Sequence, residues 1–245
     1  QFGMPAELVT RLPENPIADA AIASLRKFGI GTDAVARGGE RIGVIYTERG
    51  AAQRPSRVVY DRKHSAVAES TTETYDWDAI FEDAVWFHFT GITPALSDTL
   101  PAVCVQACKA AKKKGVKISC DLNYRKNLWT TEQAGSVMGE LLQYVDVLIA
   151  NEEDAEKVFG IRAAGSDVTA GKLDHAGYCD VARQLSTRFD IPYIATTLRK
   201  SISASDNEWS AMLYHDGDVH FSKEYKIHIV NRVGGGDSFA GALIY

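Results

Sequence analysis

The sequence has few cysteines, four in 245 residues, and none of them form a C-x-x-C pair. Cys104 and Cys108 are one helical turn apart on an apolar stretch, and Cys120 and Cys179 stand alone. Disulfide scaffolds and zinc ribbons need paired cysteines at short, regular spacings. We therefore expect reduced core thiols in a cytoplasmic protein.

The sequence also lacks an excess of positive charge and any apolar segment of membrane-spanning length. Its 27 Lys and Arg residues against 32 Asp and Glu residues give a formal net charge of −5. Nucleic acids and anionic membrane surfaces attract basic proteins, and a membrane-spanning helix needs about 20 consecutive apolar residues. The sequence therefore predicts neither a nucleic-acid nor a membrane partner. Its length suits one large α/β domain or two small ones.

Two common nucleotide-binding fingerprints are missing as well. The P-loop pattern GxxxxGK[ST] does not occur, and no GxGxxG follows the first predicted strand. P-loop ATPases and Rossmann dehydrogenases are therefore poor interpretations. The sequence has instead three consecutive glycines directly before Asp237 and an apolar stretch at helical spacing. Because each glycine costs about 0.5–1 kcal/mol relative to alanine, this run indicates a place that needs bare backbone.

From residue 80 onward, apolar strands alternate with stretches of helical periodicity. This alternation is typical of an α/β fold with a doubly wound, mostly parallel sheet flanked by helices. Thr130 and Gln133 have the spacing of a capping box, and Asp216-Gly217 predicts a tight hairpin turn. We expect strands at 84–91, 116–123, 145–151 and 192–198, helices at 17–29, 95–115, 130–145, 151–160 and 173–189, and a hairpin within 211–226.

Residues 34–70 have a different pattern. Apolar and polar residues alternate in RIGVIYTERG and RPSRVVYD, and a loop with Gly, Ala and Pro joins the two segments. This pattern indicates a β-hairpin with one solvated face. We interpret it as a small β lid inserted into an α/β domain of residues 1–33 and 71–245; an ordinary antiparallel edge is the alternative. Both ends lack the signals of a complete element, so we expect this domain to be incomplete at both ends.

Polar residues collect directly after the predicted strands. The sets are Thr90-Gly91, residues 121–125, residues 151–154, Arg199-Lys200, and the three glycines with Asp237. In open α/β sheets, ligands bind at the carboxyl ends of the strands, so we expect these sets at one sheet edge. Acidic, amide and basic groups together suit a metal-bound polyphosphate. Taken singly, the same sets could be turns, helix caps and surface arginines.

Gly234, Gly235 and Gly236 would present successive backbone N–H groups at the N-terminus of a helix. Such a turn binds anions, and the absence of Cβ atoms lets a phosphate approach closely. Asp237 follows in the first turn, where the helix dipole favours its ionised form and where it could take a proton from a nearby hydroxyl. An anion site beside a base suits phosphoryl transfer to an alcohol.

These motifs resemble those of a known family. VGGGDSFAGALIY resembles the second signature of the ribokinase-like (PfkB) carbohydrate kinases, and NEED resembles their Asn-x-x-Glu motif, with Asp154 in place of Glu. LPENPIADAAIASLRKFGI resembles the segment that leads into their lid, and the resemblance covers essentially the whole chain. It implies an enzyme of ribokinase-like fold, an ATP-dependent carbohydrate kinase that uses ATP and Mg²⁺. Asp237 would be the base, and the amides of residues 234–236 would hold the transferred phosphoryl group.

Within that family, the lid segment, DLNYRKNLW and VGGGDSF are similar to 2-keto-3-deoxygluconate (KDG) kinases. This similarity implies that a keto-acid substrate is contacted by Tyr46, Tyr60, Arg62, Arg125 and Asp237. Two arginines suit a carboxylate, which guanidinium groups bind through paired hydrogen bonds. Because Ile45 and Tyr46 are adjacent where the family has one lid aromatic, either of them is expected to face the sugar.

The resemblance also implies the nucleotide side of the site. Asn151 and Asp154 are expected to organise Mg²⁺ and its waters. The residues expected at ATP come from several strand ends and from the glycine run: Asn123, Tyr124, Arg125, Asn151, Thr197, Arg199, Gly234 and Gly236.

The leading interpretation is therefore phosphorylation of KDG to 6-phospho-KDG. One alternative is another kinase of the family, for fructose, ribose or 5-keto-2-deoxygluconate. The other is a catalytically silent sugar-sensing protein on the same fold. We also expect a homo-oligomer, and the lid is one surface through which it could form.

Overall fold

The structure, a computed structural model, describes residues 3–50, 53–162, 175–203, 205–231 and 233–245. The strands are β1 (Thr10–Leu12), β2 (Val35–Arg37), β3 (Val44–Glu48), β4 (Arg57–Asp61), β5 (Trp86–Thr90), β6 (Lys117–Asp121), β7 (Val147–Ile149), β8 (Tyr193–Ser201), β9 (Asp206–His215), β10 (Asp218–Phe221) and β11 (Tyr225–His228). The α-helices are α1 (Pro16–Lys27), α2 (Trp77–Ile80), α3 (Leu100–Lys113), α4 (Thr131–Leu141), α5 (Glu152–Phe159), α6 (His175–Phe189) and α7 (Gly235–Ile244).

The main sheet contains β5 to β11. Strands β5, β6, β7 and β8 lie side by side and run parallel. Strand β9 is antiparallel to β8, and β10 and β11 both pair antiparallel with β9. Six of the seven strands therefore run in the same direction. This confirms the predicted α/β fold with a mostly parallel sheet.

Helices pack on both faces of this sheet. Leu148 of β7 and Ile194 of β8 belong to the large core cluster that α3, α4 and α6 cover. The next residues, Ile149 and Ala195, pack on the other face against Ala240 of α7. Successive side chains of a strand point to opposite faces, so strands buried on both sides read as continuous apolar runs. The predicted doubly wound arrangement follows from those runs.

Several element boundaries differ from the predictions. Helix α3 begins at Leu100, because Ser97 is extended (φ −162°, ψ 169°) and separates it from a short 3₁₀ turn at Pro94–Leu96. Strand β8 continues to Ser201, because it pairs with β9 along its whole length. The capping box of Thr130 and the hairpin turn of Asp216-Gly217 are confirmed. The predicted start of α6 at residues 173 and 174 lies outside the described residues.

The lid is narrower than the predicted range of 34–70. Strands β3 and β4 form a separate antiparallel hairpin, but β2 pairs in parallel with β1 of the body. After the hairpin, Ser65, Ala66 and Ala68 are buried. The projecting part is therefore the hairpin itself, because the flanking segments are held in the body.

The cysteines are free, and Cys104, Cys108 and Cys120 are buried while Cys179 is half-buried. Burial raises the pKa of Cys108 to about 12, so this thiol is protonated at neutral pH. The predicted reduced core thiols are thus confirmed for three cysteines, and Cys179 lies nearer the surface. Among the described residues, no helix is both long and apolar enough to cross a bilayer.

Candidate active site

The glycine run forms a turn at the N-terminus of α7. Gly234 is the N-cap with φ +81°, a left-handed conformation that favours glycine. The backbone N–H and the hydroxyl of Ser238 both donate to its carbonyl, at 2.9 and 2.8 Å. The first N–H groups of a helix have no partner within the helix, so the amides of Gly235 and Gly236 are available to an anion.

A cleft of about 510 Å³ lies between the lid, the end of β6 and this glycine turn. It brings together predicted residues from separate parts of the chain. The cleft is lined by Ile45, Thr47, Arg49, Gly50, Ser56, Val58 and Tyr60 of the lid segment, by Ile92, Asp121, Asn123 and Arg125, and by Ser205, Ile229, Val230, Asn231, Val233, Gly234, Gly235, Gly236 and Asp237. The predicted convergence at one sheet edge therefore holds for the 121–125 set and the glycine set.

Asp237 lies in the first turn of α7 and its side chain is exposed. It lines the main cleft and also a second cavity of about 370 Å³ on the other side, whose walls include Tyr75, Trp77 and Phe87. The carboxylate thus stands where a substrate hydroxyl in the cleft could reach it, beside the free amides of the glycine turn.

Asp121, at the end of β6, is a site residue that the sequence-based assignment left out. Its Oδ2 lies 3.9 Å from the position a Cβ would take on Gly236. Its pKa is raised to about 6, mainly by burial and further by the negative charge of Asp237, against the opposite effects of Arg125 and the N–H of Asn123. The sequence contained the signal, a carboxylate at a strand end, but the same residue type serves as an ordinary turn cap.

Residues 123–125 form the turn after β6. Asn123 has φ +41°, and its amide donates to Oγ1 of Thr90 at 3.1 Å. Arg125 is exposed and lines the cleft. Tyr124 is different, because its ring packs against the core and its hydroxyl donates to the carbonyl of Trp129. Tyr124 is therefore not among the residues that line the cleft, and its contact with the nucleotide stays a prediction.

Asn151 and Asp154 bind each other at the start of α5. Asn151 is the N-cap and accepts the N–H of Asp154 at 2.7 Å, and its amide donates to Oδ2 of Asp154 at 3.1 Å. Asp154 is buried. Burial, followed by the charge of Asp121, raises its pKa to about 7, against the effects of Arg125 and the N–H of Tyr124. Neither residue lines the cleft.

The acidic residues can be compared with what a magnesium nucleotide needs. Within the described ranges, no cluster of three or more His, Cys, Asp and Glu residues is arranged to hold a metal ion. Mg²⁺ in phosphate-transfer sites is held by one or two carboxylates together with the phosphates of the substrate. Asp121 and Asp237 line the cleft beside Gly236, so these residues fit an ion that arrives with a polyphosphate.

Thr197 and Arg199 do not reach the cleft. Both lie within β8 instead of after it, opposite Ala211 and Trp209 of β9. The ring of Trp209 lies 3.9 Å from the position a Cβ would take on Gly235, so Arg199 is one strand away from the glycine turn. Pairing with β9 extends the strand past them, and their contact with the nucleotide stays a prediction.

The lid hairpin presents one of its two faces to the cleft. Ile45 pairs with Tyr60, and Tyr46 pairs with Val59. Ile45 and Tyr60 line the cleft, whereas Tyr46 lies on the opposite face and is 60% exposed. Side chains alternate along a strand, so Ile45 takes the inward position and Tyr46 faces away from the cleft; its contact with the substrate stays a prediction.

Arg62 follows β4 directly and stacks on the inward face of the lid. Its guanidinium carbon is 4.3 Å from the ring centroid of Tyr60. Burial lowers the pKa of Arg62, Tyr60 raises it, and the positive charge of Arg125 lowers it again. The positive charge of Arg125 thus acts against the charged form of Arg62, and of these two arginines only Arg125 lines the cleft. In the part of the chain that the structure describes, no ion pair within 4.0 Å involves either of them, so an anion between them would relieve the repulsion.

His88 of β5 is a further residue that the sequence did not single out. It lines the second cavity together with Asp121 and Asp237, and its Nδ1 is 2.7 Å from Oγ of Ser119. Desolvation lowers the pKa of His88, and the negative charge of Asp237 opposes this effect. Only the pairing of β5 with β6 brings His88 to this place, so sequence spacing could not reveal it.

Comparison with known proteins identifies relatives of this chain. A 2-dehydro-3-deoxygluconokinase of Thermotoga maritima has a crystal structure that matches all of this chain and 73% of its own, with 53% identity and a TM-score of 0.95. A 2-dehydro-3-deoxygalactonokinase of Haloferax volcanii is 31% identical over 244 residues, which are 100% of this chain and 70% of that protein.

The fold extends to more distant structures. A fructokinase of Xylella fastidiosa with bound ATP is 19% identical and covers 100% of this chain and 68% of its own, with a TM-score of 0.74. The model of the pfkB family carbohydrate kinases matches residues 1–245. The glycine turn with its carboxylate, the lid above it and these similarities together show that this chain belongs to the pfkB family of carbohydrate kinases.

Proposed function

We propose that this kinase transfers a phosphoryl group from ATP to the primary hydroxyl of 2-keto-3-deoxygluconate and so forms 6-phospho-KDG. The observation that carries the proposal is Arg125 in the lining of the cleft that holds Asp237, together with Arg62, whose guanidinium stacks on the cleft residue Tyr60. A neutral sugar gives no reason to keep two positive charges together, whereas a sugar-acid carboxylate binds both through charge-assisted hydrogen bonds.

Each part of the cleft then has a role. Tyr60 and Ile45 form the lid wall over the sugar, and the two arginines hold its carboxylate end. Asp237 accepts the proton of the attacking hydroxyl, and the amides of Gly235 and Gly236 stabilise charge on the transferred group. When bound with the nucleotide, Mg²⁺ neutralises charge on the phosphates. Asp121 is the acidic group best placed for that ion, with Asn151 and Asp154 behind it.

The similarity to one relative favours a second candidate substrate. The Haloferax volcanii relative is named for 2-dehydro-3-deoxygalactonate, a keto-deoxy acid that differs in the configuration of one hydroxyl group. The same two arginines would bind its carboxylate. The choice between the two acids depends on the groups that contact the hydroxyls, whereas the choice of an acid over a neutral sugar depends on Arg62 and Arg125.

A substrate panel tests the proposal. The purified chain is given ATP and Mg²⁺ with KDG, its galactonate epimer, 5-keto-2-deoxygluconate, fructose and ribose, and ADP release is measured. We expect the highest kcat/KM for a 2-keto-3-deoxy acid. A higher value for fructose or ribose would contradict the proposal, and no ADP release with any sugar would favour the silent sugar-sensing alternative.

The homo-oligomer stays a prediction. The outer face of the lid carries Tyr46 and Val59, which pair with each other across the hairpin and are 60% and 47% exposed. Burial of this apolar pair against a second copy would be favourable. Sedimentation of the wild type and of Tyr46→Asp tests it: the variant should have the lower mass, and equal masses would contradict association through this face.

A further inference from the structure

The two segments that join the lid hairpin to the body pass very close to each other. A Cβ on Gly39, which has φ +78°, would lie 2.8 Å from Cβ of Ala66. A Cβ on Gly43 would lie 3.2 Å from Cβ of Arg62. The two joining segments, residues 39–43 and 62–66, are therefore tightly packed where they cross, although both strands of the hairpin above this crossing are exposed. Because Arg62 lies in this crossing, its backbone is set by the crossing segments.

Arg41 lies between those two glycines and holds the chain on both sides of Arg62. Its Nη1 donates to the carbonyl of Lys63 and its Nη2 to the carbonyl of Asp61, each at 3.1 Å. The same Nη2 is 2.8 Å from Oδ1 of Asp61. The carbonyl of Arg41 accepts the N–H of Ala66 at 2.8 Å. One side chain thus fixes the residue before and the residue after Arg62.

The Arg62 side chain has few contacts of its own that would fix its position. Its Nε is buried and has no hydrogen-bond partner among the described residues. Its guanidinium stacks on Tyr60 and is repelled by Arg125. A positive group kept near another positive group needs a fixed backbone if it is to stay there before an anion binds.

We propose that Arg41 is a positioning residue for Arg62. It clamps the backbone at Asp61 and Lys63, so that the Arg62 guanidinium is already ordered against the cleft residue Tyr60 when the acid substrate arrives. Ordering a binding group in advance lowers the free energy lost on binding. This inference rests on the proposed function, since it gives Arg62 the task of holding the substrate carboxylate.

Arg54 offers a matched control at the other end of the same hairpin. It pairs with Oε1 of Glu48 at 2.6 Å and donates to the carbonyl of Arg49 at 2.7 Å. Arg54→Met therefore removes an arginine with a similar set of partners, but it leaves residues 61–63 untouched.

The kinetic test compares Arg41→Met, Arg62→Met, the double variant and Arg54→Met with KDG and with a neutral sugar. We expect Arg41→Met to raise KM for KDG about two- to tenfold, the effect of ordering one long side chain, with kcat and the neutral sugar little changed. Arg41→Lys should recover part of the loss. The double variant should be no worse than Arg62→Met. The proposal would be overturned if the losses of kcat/KM of the two single variants multiplied in the double variant. It would also be overturned if Arg41→Met lost the same factor of kcat/KM for KDG and for the neutral sugar.

A second measurement does not depend on which sugar is the substrate. The buried Nε–H of Arg62 gives an NMR signal whose exchange with water reports how well this side chain is ordered. We expect slow exchange in the wild type and in Arg54→Met, and faster exchange in Arg41→Met at an unchanged melting temperature. If no sugar acid is phosphorylated, the proposed function fails, but this exchange still decides the role of Arg41. Unchanged exchange in Arg41→Met would overturn it.

Discussion

At the scale of single residues, Asp237 is the group on which the proposed phosphoryl transfer depends. It follows the glycine turn, is exposed, and lines the main cleft beside Asp121. We expect Asp237→Asn to bind ATP normally and to lose kcat by roughly 10²–10⁴-fold, the usual effect of removing a general base. Asp216→Asn, in a hairpin turn that lines neither cavity, is the control and should behave as the wild type. If Asp237→Asn keeps more than about a tenth of kcat, Asp237 is not the base.

Single residues also mark where sequence reasoning reached its limit. Asp237 and Arg125 were identified correctly as cleft residues because each follows a strong local signal, the glycine run and a strand end. Tyr46 and Ile45 are neighbours in sequence, and only the register of β3 with β4 decides which of them faces inward. Asp121 was passed over because a carboxylate at a strand end is as common in a turn cap as in a site.

At the scale of elements, the N-terminus of α7 provides a test of the anion site. A Cβ on Gly235 would meet its nearest atom, Cη2 of Trp209, at an ordinary 3.9 Å, so Gly235→Val should fold. The new side chain would occupy the space of the phosphoryl oxygens. We expect kcat to fall about a hundredfold, as for a 1 Å misplacement of reacting groups, with the melting temperature little changed.

A substitution at the neighbouring Gly234 is expected to affect stability, in contrast to Gly235→Val, which is expected to affect activity. Gly234 has φ +81°, so Gly234→Ala is strained by about 1–2 kcal/mol and should lower the melting temperature. Melting curves and kcat measured together on both variants separate the two effects. A folded Gly235→Val with full activity would show that no phosphoryl group lies against this turn.

Elements themselves were predicted well where local signals are strong. The capping box of α4, the Asp-Gly hairpin turn and the alternating lid strands each fix their own structure from a few residues. The end of β8 and the start of α3 were less accurate, because pairing with β9 extends the strand and an extended Ser97 interrupts the helix. Such tertiary effects override local preference.

At the scale of the whole molecule, two carboxyl groups, the half-buried Asp121 and the buried Asp154, predict how stability changes with pH. Their pKa values, about 6 for Asp121 and about 7 for Asp154, are above the ordinary 3.8. The folded protein keeps these protons at pH values where the unfolded chain has released them. Their stabilising contribution is therefore complete below about pH 4 and is lost as the pH rises through 6 and 7. The pKa of His88 is lowered, so its protonation favours the unfolded chain. Its effect on stability is therefore opposite to that of the carboxyl groups: below about pH 6.5, stability increases as the pH rises.

We expect the two carboxyl groups to dominate, so that the melting temperature without nucleotide falls by several degrees between pH 5 and pH 8. A change of about 1 kcal/mol in the free energy of unfolding shifts the melting temperature by about 2–4 °C in a chain of this size. Asp121→Asn and Asp154→Asn should each flatten this fall, and an exposed control, Asp216→Asn, should not. A melting temperature that rises from pH 5 to pH 8 would contradict the assignment of these protons.

The residues proposed to bind the substrate carboxylate come from two separate parts of the molecule, the lid segment and the end of a sheet strand. Arg62 comes from the lid and Arg125 from the turn after β6, and nothing in their sequence spacing predicts that the two charges interact. The family resemblance implies a role for both residues. In the fold, Arg125 lines the cleft and Arg62 stacks on Tyr60, which lines the same cleft.

The proposed binding of a sugar acid in this cleft is tested most directly by the kcat/KM of wild type and Arg62→Met for KDG and for a neutral sugar such as fructose. Loss of a charge-assisted hydrogen bond costs about 1.5–3 kcal/mol, so we expect a roughly tenfold to hundredfold loss for KDG and a much smaller loss for the neutral sugar. Equal losses for the two substrates would contradict a carboxylate bound between Arg62 and Arg125.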